Sequence, residues 1–110
     1  MMKTKCLLVA AAACIGSSVN AADAAKGQEI AQAQCAACHG KDFASPVDPS
    51  YPKLAGQYAD YLEKALRDYQ SGSRKNAIMG GLAKPLSRAD IQNLAAYLGG
   101  LPGPLENTKR

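Results

Sequence analysis

A chain of 110 residues has room for one small domain, and its composition narrows what that domain can be. The 13 Lys and Arg against 9 Asp and Glu give a formal charge of +4, but no basic run accompanies it, so there is no case for nucleic-acid binding. One Phe, five Tyr and no Trp leave little apolar area of the chain's own, a deficit that domains this small often make good with a metal, a cofactor or disulfides.

The chain opens with Lys3 and Lys5, continues through an almost wholly apolar stretch from Cys6 to Ile15, and reaches the small-residue segment Val19-Asn20-Ala21. This is the pattern of a secretory signal peptide over residues 1–21, with the domain at 22–110. The apolar run, about ten residues, is well short of the ~20 needed to span a bilayer as a helix, so no membrane span is expected in the mature chain. A weaker reading makes Cys14 a lipidated residue, although Ala11 stands three positions before it where Leu would be the stronger signal. Cleavage after Ala21 leaves 89 residues near +2, with Cys35 and Cys38 as the remaining cysteines and no structural disulfide available. Export points to an oxidising envelope compartment, the periplasm.

Asp23 is placed to cap a helix over Ala24–Ala37, rich in Ala, Gln, Glu and Lys. Gly27 within it is best explained by a close helix crossing, with Gly27 and Ala31 on the contacting face. The helix runs into Cys35-Ala36-Ala37-Cys38-His39, closed by Gly40. C-x-x-C-H is the haem attachment signal of c-type cytochromes, two thiols spaced for the two vinyl groups and an imidazole placed on the iron. A thioredoxin-type redox pair would need surrounding strands, which are not visible. A structural zinc site would need a fourth ligand, and only the leader's Cys6 and Cys14 remain.

Lys41–Ala55 reads as a loop punctuated by Pro46, Pro49 and Pro52, long enough to wrap a cofactor. Gly56–Ser71 reads as a helix: Tyr58, Tyr61, Leu62, Ala65, Leu66 and Tyr69 form its apolar stripe, expected to be core packing, and Asp60, Glu63, Lys64, Arg67 and Asp68 face away. Ser73–Leu86 reads as a second loop in which Gly80 and Gly81 permit unusual backbone angles beside Met79. Ser87-Arg88-Ala89-Asp90 resembles a capping box opening a last helix, with Ile91, Leu94, Ala95 and Leu98 buried and Gly99-Gly100 stopping it. Residues 103–110 read as a polar, loosely held tail. One C-x-x-C-H and no internal repeat give an expectation of one haem c per chain.

An iron held by His39 needs a second axial group, and the mature chain offers no other His and no free Cys. With Met1 and Met2 lost with the leader, Met79 is the one soft ligand left, 40 residues beyond His39. His39 and Met79 ligation would close both axial positions and raise the potential.

Taken together these features resemble the class I cytochromes c, in particular the small bacterial carriers of the c-553, c4 and c5 kinds, over essentially the whole mature chain. The likeness rests on Cys35-Ala36-Ala37-Cys38-His39-Gly40, on Tyr51-Pro52-Lys53-Leu54-Ala55-Gly56-Gln57, similar to a P-x-L-x-G-Q segment, and on Leu86–Ile91 with Leu94–Leu98. It implies an all-α fold of three to four helices and wrapping loops around one covalent haem. It also implies that the Pro52 carbonyl accepts a hydrogen bond from His39, that Leu54 packs on the haem, and that the first and last helices cross with Gly27 near Leu94 and Tyr97. Gly80-Gly81-Leu82 departs from the usual sequence there, and c4 members carry two haems where this chain has one motif.

The expected function is therefore single-electron transfer by a monomeric periplasmic carrier, not an enzyme, docking transiently with a reductase or dehydrogenase and with an oxidase. The alternatives are a haem enzyme or gas sensor with an open sixth position, for which no distal His, Arg or acid is identifiable, and an electron-accepting subunit of one dehydrogenase.

Overall fold

The computed structural model describes residues 21–108, so the expected leader, all but its last residue, and Cys14 with it, lie outside the described residues. Within them the chain is helical and has no strand: α1 (Ala24–Gln34), α2 (Ala36–His39), α3 (Ala59–Ser71), α4 (Ala77–Ala83), α5 (Arg88–Gly99) and a closing 3₁₀ turn over Pro104–Thr108. None of these helices is long and apolar enough to cross a membrane.

The frame is the pair α1 and α5, the most extensive helix contact among the described residues. Asp23 caps α1 by accepting from the Ala25 and Lys26 N–H groups at 3.0 and 3.2 Å, and its own N–H donates to Asn93 Oδ1 at 2.7 Å, which ties the start of α1 to the middle of α5. Gly27 makes the crossing possible. A Cβ at that position would lie 2.0 Å from the Asn93 carbonyl oxygen and 3.0 Å from Leu94 N, so the approach is backbone on backbone. Ala31, one turn later, is fully buried. The expected partner of Gly27 was the neighbourhood of Leu94 and Tyr97; the contact is at Asn93 and Leu94, and Tyr97 instead meets Gln32 through its hydroxyl at 3.5 Å. At the other end of the frame, Ser87 and Asp90 form a reciprocal capping box, each bond 3.0 Å long.

Four expectations are corrected. The single helix over 24–37 breaks at Cys35, whose carbonyl accepts from both Cys38 and His39 and starts the separate turn α2. The helix expected from Gly56 begins at Ala59, because Gly56 takes φ +84° and gives its N–H to the Leu98 carbonyl, a conformation that suits glycine and not a helix. The loop expected over 73–86 contains α4. Its N-terminus is capped by Asn76, which accepts from the Ile78 and Met79 N–H groups at 3.0 Å each, and neither Gly80 nor Gly81 has positive φ. Lastly, the tail is not loose throughout, since Glu106 packs its backbone against Gly56 and donates to the Gly103 carbonyl. With α2 and α4 counted, the helices number five among the described residues rather than three to four.

The packed core is small: Ala31, Phe43, Ala55, Leu62, Leu94, Ala95 and Leu98. On α3 only Leu62 is buried, while Tyr61 is half exposed. The stripe read as core packing mostly does something else. Tyr61, Leu62, Ala65, Leu66 and Tyr69 face a cavity. The opposite face carries the ion pairs Lys64–Asp68 and Glu63–Arg67, each 2.6 Å and solvent-accessible, which contribute little to stability.

Candidate functional site

The cavity has a volume of about 620 Å³, within the range of pockets that enclose a cofactor-sized ligand. Cys35, Cys38, His39, Pro52, Leu54 and Met79 all line it, so every site residue expected from the sequence reaches one space. Its wall is largely apolar, with Ile30, Leu62, Leu66, Leu94 and Leu98 among the contributors.

The short turn α2 sets the first cluster. Because the chain restarts at Cys35, the two thiols and the imidazole are presented from one helical turn at the cavity wall. Both thiols are half-buried and unbridged. Burial pushes the Cys35 thiol up to about 11, with the neighbouring Cys38 adding to the effect, so at neutral pH it is a protonated thiol. His39 is 6 % exposed. Its Nδ1 lies 2.8 Å from the Pro52 carbonyl oxygen, and since a carbonyl can only accept, Nδ1 is the donor, the tautomer that leaves the Nε2 lone pair for a ligand in the neutral ring. The Tyr51 ring sits beside the imidazole, centroids 6.3 Å apart.

Met79 comes from α4, which is fixed at both ends. Asn76 holds the first turn, and Gln70 on α3 donates from Nε2 to the Ala83 and Leu86 carbonyls, both at 2.8 Å, which pins the last turn and the connection to α5. Two glycines in a seven-residue helix would leave it marginal on its own. Asn76→Ala should therefore cost about 1 kcal/mol locally, seen as faster amide exchange at Ile78 and Met79 with the α5 amides unchanged.

Arg74 and Lys53 are the cationic side chains of the wall, and among the described residues no Asp or Glu lines it. Arg74 is held by two tyrosines: Nη1 donates to the Tyr61 hydroxyl at 3.4 Å, and the guanidinium lies 5.0 Å from the Tyr69 ring centroid. That hydrogen bond keeps its pKa above the ordinary value. Sequence reading missed Arg74, Gln70, Asn76 and Phe43. Asn76 had a signal, an N-cap residue type just before Ala77-Ile78-Met79, masked by the following glycines; Gln70 and Arg74 had none.

An apolar cavity with two thiols and an imidazole on one helical turn, a thioether, and cations without carboxylates suits a flat apolar macrocycle carrying a metal and acidic side arms, which is haem. No group of three His, Cys, Asp or Glu among the described residues would hold an ion by itself.

Comparison with known proteins agrees. The cytochrome c family model matches residues 24–102. The chain is 49 % identical over 77 residues to a cytochrome c4 of Pseudomonas aeruginosa, covering 70 % of this chain and 37 % of that protein. It is 44 % identical over 80 residues to cytochrome c-554(548) of Halomonas halodenitrificans, covering 70 % of this chain and 94 % of the relative. Among solved structures, reduced recombinant cytochrome c4 from Pseudomonas stutzeri superposes with a TM-score of 0.66 at 35 % identity, over 77 % of this chain and 53 % of that one. The chain thus spans less than half of the first relative and about half of that structure, but nearly all of the second relative.

Proposed function

Because this chain belongs to the cytochrome c family, with the class I fold and a covalently bound haem c, we propose that it is a one-electron carrier with one haem per chain, its iron held by His39 and Met79. The observation that carries this reading is the convergence of Cys35, Cys38, His39 and Met79 on one apolar cavity. The haem supplies an iron that takes up and gives back one electron. The residues do the rest. Cys35 and Cys38 would hold the ring covalently, each by addition of its S–H across a vinyl double bond, a tether that needs no leaving group. His39 offers Nε2, its basicity raised by the Nδ1–H bond to Pro52. Met79, a thioether on a helix fixed at both ends, would hold the iron from its other side, where a thioether favours the ferrous state and raises the potential. Leu54 would pack on the ring, and the cations Arg74 and Lys53 of the same wall would meet its carboxylates. The apolar wall would keep water from the iron, so that little need rearrange when an electron is gained or lost.

The carrier acts, in this reading, as a monomer in the periplasm after removal of residues 1–21, without a lipid at Cys14, and passes electrons from a reductase or dehydrogenase to an oxidase. It is not itself an enzyme. The reduced protein exposed to carbon monoxide tests the carrier against the enzyme or sensor alternative. A low-spin spectrum with the weak red sulfur-to-iron band in the ferric form, and no change with carbon monoxide, is the expected result; a high-spin spectrum that shifts on adding the gas contradicts it.

A further inference from the structure

Phe43 occupies a backbone conformation that a bulky residue normally avoids. Its φ is +57°, the one positive value at a non-glycine among the described residues, and its side chain is fully buried. Such an outlier persists when its surroundings over-determine it, and here they do so from three directions. The ring stands edge-on to Tyr97 of α5, centroids 6.0 Å apart and planes at 87°. The Phe43 N–H donates to the Gly40 carbonyl at 3.0 Å, one residue past His39. Its carbonyl accepts two bonds, from Leu54 N–H at 2.8 Å and Ala55 N–H at 2.9 Å.

These bonds close the loop at its waist. The chain leaves His39 through Gly40 and returns at Pro52, whose carbonyl accepts the hydrogen bond from the imidazole Nδ1–H. Proline has no N–H with which to anchor itself, so the place of that carbonyl depends on the residues just after it, which hang from Phe43. The left-handed twist lets one residue send its ring toward Tyr97 and its carbonyl toward Leu54 and Ala55. We propose that Phe43 is the positioning residue for the axial histidine: its buried ring, braced by α5, clamps the returning strand of the loop and so sets the His39–Pro52 hydrogen bond and with it the basicity of the ligand. This rests on the reading of His39 as the iron ligand. A shorter bond from Nδ1–H to the carbonyl makes the imidazole a stronger donor and favours ferric iron; loosening the clamp therefore raises the potential.

The test uses the haem-loaded protein and its Phe43→Ala and Phe43→Leu variants, with the midpoint potential from voltammetry and exchange of the His39 Nδ1 proton with water by NMR. In Phe43→Ala the potential moves upward and the proton exchanges about tenfold faster or more, as expected when a local opening becomes easier. In Phe43→Leu, which keeps apolar bulk in the core, both stay close to the parent values. A folded Phe43→Ala protein that melts earlier but keeps the parent potential and exchange rate overturns the proposal, since that is the signature of a merely structural residue. So does a Phe43→Leu protein altered as much as Phe43→Ala. Should Phe43→Ala fail to fold, Tyr97→Ala removes the bulk that braces the ring from the α5 side; the same direction of change in both readouts is expected, and no change overturns the proposal. Failure of the carrier reading would show in the parent protein, as a missing low-spin spectrum, whereas failure of this inference shows only in variants of a parent whose spectrum is intact.

Discussion

Gly27→Ala is expected to be among the most damaging single substitutions in the domain, although it adds only one methyl group. The added Cβ would stand 2.0 Å from the Asn93 carbonyl oxygen and 2.5 Å from its carbon, and neither belongs to a side chain that can swing aside. To make room α1 must move off α5, which breaks the Asp23–Asn93 bond and opens the packing around Ala31 and Leu94. Overpacking of this kind typically costs 1–3 kcal/mol and sometimes more; with backbone on both sides the expected loss is about 3 kcal/mol or greater. Against a net stability of roughly 5–15 kcal/mol for a domain, that is a large share of the margin. Urea unfolding of the haem-loaded protein, followed by helical circular dichroism, measures this directly. A loss under about 1 kcal/mol would mean that the two helices do not approach as closely as described.

Met79→Ala is expected to change the chemistry while leaving the fold in place. Met79 is half-buried on α4, whose two anchors, the Asn76 cap and the Gln70 clamp, do not involve its side chain beyond its own N–H. On the proposal that the thioether is the soft axial donor, its removal should make the ferric spectrum high-spin, abolish the weak red band, and let the reduced protein bind carbon monoxide. The midpoint potential should fall by on the order of 0.1 V or more, within the ≈ 0.8 V range that axial ligands command. A spectrum and potential unchanged by the substitution would show that another group holds the sixth position.

Which parts of this architecture could be read without coordinates follows from the range of the forces involved. Cys35, Cys38 and His39 were legible because their chemistry requires that spacing within one turn. Asp23 and the Ser87–Asp90 box were legible because a cap is decided within three residues. Gly27 and Ala31 marked a helix contact because small residues at that spacing leave room for another backbone. What escaped depended on distant partners. Helix α4 holds two glycines that local propensity penalises, and it is secured by Gln70 from another helix, a bond no local pattern announces. The break at Cys35 lies inside an Ala-rich run that by propensity should continue. The sign of φ at Phe43 is set by loop closure onto Leu54 and Ala55 and by Tyr97, more than fifty residues away in sequence. The tyrosine-bearing face of α3 had the right periodicity for burial, but periodicity cannot distinguish a core from the wall of a cofactor cavity.

The account stands on covalent attachment at Cys35 and Cys38, and the intact mass of the exported protein tests that most directly. Expressed in full in a host with cytochrome maturation machinery and measured under denaturing conditions, the chain should have lost residues 1–21 and carry the mass of one haem that denaturant does not remove. A polypeptide mass alone, with any colour lost on unfolding, would contradict it.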